Sequence, residues 1–125
     1  MEIRELAEVY LRYFQSKRQQ DQWSVKEVDT LVGQSPEAGW ELTKALVGQS
    51  RSDAELAYIA AGPLEDLLRK HGPALIDTIA NQAQNNERLQ LALSGAWLEP
   101  QDAIYARWYS LMSDYGFADG RREAL

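Results

Sequence analysis

The chain has 125 residues, of which 45 % are hydrophobic and 26 % charged, and it contains no cysteine. That is one domain's length, enough to bury a core unaided, and it excludes disulfides, thiol catalysis and cysteine-bound metal. Thirteen basic residues face nineteen acidic ones, a net charge of −6, so phosphate backbones are repelled and a basic protein is the better-matched partner.

The opening stretch, MEIRELAEVYLRYF, carries charges throughout and lacks the apolar core of a signal peptide. No apolar run approaches the roughly 18 residues of a membrane span. A cytoplasmic protein is expected, with neither leader nor membrane anchor.

Helical periodicity begins at once. Ile3, Leu6, Ala7, Tyr10 and Phe14 recur at i, i+3, i+4 and i+7. Val9, Leu11 and Tyr13 widen the apolar arc to about 200°, so this helix is expected to be covered on two sides or to meet a partner. In QWSVKEVDTLVGQ, Ser24 and Glu27 have capping-box spacing, Trp23 stands where a hydrophobic staple would pack on Val28, and Gly33 suits a left-handed stop. Ser35-Pro36 opens a third helix, with cap and proline at the first helical position, running through Trp40, Leu42 and Leu46 to Gly48. LVGQS occurs at 31–35 and again at 46–50. A spacing of fifteen is shorter than any common solenoid unit, so the pair reads as repeated helix punctuation.

Ser52 and Glu55 cap a short helix through Leu56, Tyr58 and Ile59. Gly62-Pro63 is expected to end it and begin another, and Gly72-Pro73 to do the same again before Leu75, Ile76, Ile79, Ala80 and Ala83. NQAQNNE holds a bend near Asn85 and Asn86, followed by Leu89, Ala92 and Leu93. Glu99-Pro100 opens the last helix, with Ile104, Trp108 and Leu111 on one stripe and Tyr105, Tyr109 and Met112 on a second. Strand-like alternation never persists. An all-α single domain is therefore expected over residues 1–113, about eight short helices stacked as antiparallel hairpins. The tail at 114–125 is expected to fray.

Catalytic patterns are scarce. One histidine and no cysteine leave no recognisable zinc set, and HExxH, phosphate loops and EF-hand loops do not occur. Glu65 and Asp66, in the first turn of GPLEDLLRKHGP, complement the helix dipole, as Arg69, Lys70 and His71 do in its last turn. The two acids are neighbours pointing about 100° apart, a poor dyad for acid–base work, so all these groups read as helix-end chemistry. No cofactor and no catalytic residue is assigned. Trp23, Trp40, Trp97 and Trp108 are expected in the core. Tyr105, Tyr109 and Met112, lying about 40–100° round the helix from Trp108, are the candidate partner-binding residues, since aromatics and methionine anchor interfaces.

LAYIAAGPLEDLLRKHG, with the Trp40 helix upstream, Leu75-Ile76 after it and ALSGAW near residue 92, resembles a family of small bacterial helical proteins of unknown function. The resemblance spans roughly residues 23–110. It implies a helical fold and brings no catalytic residues with it. The function expected from the residues is binding: a small acidic protein, in its most concrete form immunity- or antitoxin-like, masking a basic partner. A helical adaptor or structural subunit is the alternative, and a carboxylate-based enzyme a third.

Overall fold

The computed structural model describes residues 2–117, and every regular element among them is helical. Helix α1 spans Ile3–Ser16, α2 Trp23–Gln34, α3 Pro36–Gln49, α4 Asp53–Ile59, α5 Glu65–Ala83, α6 Glu87–Ser94 and α7 Tyr105–Asp114, with a 3₁₀ turn at Gln19–Asp21. α1 packs mainly on α3, α2 lies against α3 and α5, and α7 rests on α5 and α6. One apolar cluster runs from Leu6 to Met112.

The all-α expectation is met, but the segmentation differs at both Gly-Pro steps. Residues 53–83 form one uninterrupted rod. Its α4 and α5 halves join through a π-helical turn at Ala60–Leu64 that contains Pro63, and Pro73 lies inside α5. Counting the rod once leaves six α-helices among the described residues, rather than about eight. Proline forbids a normal helical bond and crowds the residue before it, chiefly through that residue's Cβ. Gly62 and Gly72 have no Cβ, so the crowding is relieved. The wider π turn, in which the Glu65 N–H reaches back to the Ala60 carbonyl, takes up the Pro63 ring.

Several ends behave as the residues dictate. The Ser35 hydroxyl accepts the Ala38 N–H at 3.1 Å ahead of Pro36. Ser52 accepts the Glu55 N–H at 3.1 Å, and Asn86 accepts that of Leu89 at 3.1 Å. Others correct the sequence reading. α2 begins two residues early, so Ser24 is not its cap; its buried hydroxyl donates to the Asp21 carbonyl at 2.7 Å. Trp23 is consequently turned outward and 41 % exposed rather than stapled into the core. Gly33 and Gly48 both lie inside helices, and each LVGQS copy ends its helix at the glutamine, with an extended serine after it.

The last helix starts at Tyr105; residues 100–104 make turns. Its end is ordered beyond the expected boundary at 113. Gly116, at φ +87°, donates to the Ser113 carbonyl, and Phe117 donates to Met112. This is a Schellman motif, with glycine at the position only a residue without Cβ occupies cheaply. The rest of the tail expected to fray, 118–125, lies outside the described residues.

Two further charged links tie the fold together. Arg12 grips the buried Asp21 through two bonds, Nε to Oδ2 at 2.9 Å and Nη2 to Oδ1 at 3.0 Å, which fastens α1 to the turn ahead of α2. The Arg12 hydrogen bonds hold the Asp21 carboxyl below the usual carboxylate range. Asp102 is lowered as well, first by the Glu99 N–H and then by Arg69. A depressed folded pKa contributes stability above the unfolded value of about 4, and loses it as pH falls through the folded one. The stability of the wild type is thus expected to hold at neutral pH and to fall below about pH 4. Asp21→Asn should lie lower at pH 7 and show a shallower acid decline. Melts across the pH range check this, and parallel acid limbs would contradict it.

Candidate functional site

α7 carries the candidate interface residues, and their burial follows their angle from the core-facing Trp108. At about 100° per residue, Met112 lies about 40° from Trp108, Tyr105 about 60° and Tyr109 about 100°. Met112 is fully buried, Tyr105 is half-buried and Tyr109 is 38 % exposed. Met112 is therefore a core residue, a correction to its place among the binding candidates. Two tyrosines remain. The Tyr105 ring lies 5.9 Å from Trp108 on one side and 5.9 Å from Tyr109 on the other, a tilted aromatic row leading from core to surface.

Trp108 itself is anchored by its indole N–H, which donates to the Leu93 carbonyl at 2.9 Å. Ile104 and Leu111 flank it in the core, as their stripe requires. Trp40 is buried too. Trp97, expected inside, is 60 % exposed.

The central segment has a different role from the one its position in sequence indicated. Because the rod continues through Gly72-Pro73, His71 is in mid-helix rather than in a last turn. Its Nε2 donates to the Val32 carbonyl at 3.0 Å. That carbonyl is near the end of α2, and the residue four places on is Pro36, which has no N–H to offer it. A histidine 39 positions away replaces the missing donor.

Glu65 likewise does more than complement a dipole. One of its oxygens accepts the Trp97 N–H at 2.7 Å, and the other accepts from Arg69 Nη1 at 2.9 Å. Arg69 then reaches the Trp97 carbonyl and, at 3.3 Å, Asp102, while Asp102 accepts the Glu99 N–H at 2.7 Å. The network clamps the α6–α7 connection onto α5. Glu65→Gln is expected to cost about 1 kcal/mol, since a charge-assisted acceptor becomes a neutral one. The Trp97 amide should also exchange its hydrogen faster. Unchanged exchange at Trp97 in hydrogen-exchange measurements would show that the clamp is not made.

Helix-end electrostatics thus accounts for neither residue, while both remain structural. Asp66 is half-buried and takes no part in the clamp. Among the described residues no three carboxylate or histidine groups gather as a metal set would require, and no helix is long and apolar enough to cross a membrane. Sequence reasoning missed the long-range roles of Arg12, Asp21 and Glu55. Their partners lie 9 to 40 positions away, and nothing in helical periodicity pairs residues across such separations.

The described residues form an all-helical domain in which several charged groups tie elements together and whose last helix turns an aromatic row outward. The chain belongs to a family of unknown function, DUF6869, whose model matches residues 13–115. No curated protein and no solved structure matches the chain.

Proposed function

We propose that this protein is a small acidic binding domain of the bacterial cytoplasm that recognises another protein through the outer side of α7. Its most concrete form is an immunity- or antitoxin-like protein masking a basic partner. The observation that carries the reading is the tyrosine pair: Tyr105 and Tyr109 lie 5.9 Å apart, with Tyr109 exposed, on a helix whose other side is already buried. A rigid aromatic pair covers much area at little entropic cost. The net charge of −6 would speed encounter with a basic surface.

A photo-crosslinking residue at position 109, followed by mass spectrometry of adducts formed in the source cell, tests the reading. A single stoichiometric basic protein supports masking. Several unrelated proteins support the adaptor alternative, and no adduct above that of a buried control position removes the α7 interface. With a partner in hand, Tyr105→Ala plus Tyr109→Ala is expected to weaken binding by about 2 kcal/mol. The melting temperature should change little, because Tyr109 is exposed and Tyr105 only half-buried. A large drop in melting temperature would return both rings to the core and remove the reason for an interface here.

A further inference from the structure

A groove of about 410 Å³ runs between α1 and the joint of α3 with α4. Its buried lining is Leu11 and Glu55, and its exposed rim includes Glu8, Arg12 and Arg51. Glu55 is 4 % exposed, yet both of its bonds come from neutral donors: the Arg51 backbone N–H at 2.7 Å and Gln15 Nε2 at 2.8 Å. No described cation forms an ion pair with it. Glu55 lies in the first turn of α4, where the helix dipole eases its charge, but no side-chain counter-charge is added to that, so a cation reaching the groove would be favoured beside it. The opposite charge on the rim is also unmatched. The Arg51 guanidinium makes no hydrogen bond or ion pair with the described residues, whereas Arg12 is engaged by Asp21.

We propose that this groove binds a small zwitterion of the α-amino-acid class. The ligand ammonium would lie against Glu55 and Glu8, and its carboxylate would take the two-pronged guanidinium of Arg51. A purely anionic ligand meets Glu8 and Glu55, and a purely cationic one meets Arg51; a ligand carrying both charges a few ångströms apart satisfies each end. Gln15 and Gln49 use their amide nitrogens on Glu55 and on the Arg4 carbonyl, which leaves their oxygens to accept further ammonium protons. Leu11 offers an apolar surface to the ligand side chain. This inference is independent of the α7 interface, on the other end of the described chain.

The test is a titration of the 125-residue chain, followed by proton–nitrogen correlation spectra, with single L-amino acids and with acetate and methylammonium as one-charge probes. Saturable shifts at Gln15, Gln49, Arg51 and Glu55 are expected with at least one amino acid, and affinities at least about tenfold weaker for both one-charge probes. Arg51→Ala should weaken amino-acid binding at least about tenfold while leaving the melting temperature unchanged, because its guanidinium holds nothing in the fold. No saturable shift with any amino acid would overturn the proposal. So would acetate or methylammonium binding as tightly as the amino acid, or an unaltered affinity in Arg51→Ala.

Discussion

Trp108→Ala is expected to destabilise the protein by about 3–5 kcal/mol, the range for removing a large aromatic side chain from a packed core. Trp108 is 1 % exposed and lies among Ile104, Leu111 and Met112 in the cluster that joins α7 to the rest of the fold. Its loss leaves a cavity and takes the indole donor from the Leu93 carbonyl. Trp108→Phe keeps most of the volume and loses that donor, so it should cost markedly less. The Leu93 carbonyl also receives the Ala96 N–H at 3.3 Å, which limits the penalty. Denaturant unfolding gives both values. A loss under about 1 kcal/mol for the alanine variant, below any buried large-to-small aromatic change, would mean that α7 does not share the core.

Gly72→Val should cost about 3 kcal/mol, the upper end for overpacking a well-filled site. A Cβ at position 72 would stand 2.8 Å from Ile104 Cβ and 2.9 Å from its Cγ1, and α5 and α7 would have to part. Valine also restores the Cβ that the following Pro73 disfavours. On helix propensity alone the sign would be opposite, since glycine inside a helix costs about 1 kcal/mol relative to alanine. Gly48 supplies the contrast: it is also helical, but a Cβ there meets nothing within 4 Å. Gly48→Ala should therefore stabilise by up to about 1 kcal/mol. Combining Gly72→Val with Ile104→Ala should recover only part of the loss, because alanine removes the Cγ1 and Cδ1 contacts but keeps the Cβ that stands 2.8 Å away. A stabilising Gly72→Val would break the inference that this glycine permits the α5–α7 approach.

Local chemistry was readable in the linear chain. The i, i+3, i+4 spacing of Leu6, Tyr10, Ile104, Trp108 and Leu111 specified helices and their core stripes, since a period of 3.6 residues leaves few other ways to bury those side chains. Ser35 and Ser52 marked helix starts because each side-chain oxygen serves N–H groups two or three residues ahead, whereas Asn86, read only as part of a bend, proved to be a cap as well. Tertiary packing decided the rest. The Gly-Pro steps read as breaks, yet the rod runs on because the glycines spare the Cβ crowding and a π turn takes up Pro63; what packing added is Ile104, 32 positions beyond Gly72, which fills the space that glycine leaves. His71 and Glu65 had plausible helix-end roles, but their partners are a carbonyl orphaned by Pro36 and an amide in the α6–α7 connection. The wheel ordered Met112, Tyr105 and Tyr109 by angle, and only the width of the packed core determined that the surface begins between Tyr105 and Tyr109. The same holds for Glu55. A capping residue in sequence, it still takes the nearby Arg51 N–H, but it became a buried carboxylate lining a groove only when α1 folded across the α3–α4 joint, because burial is set by neighbours such as Gln15, distant along the chain.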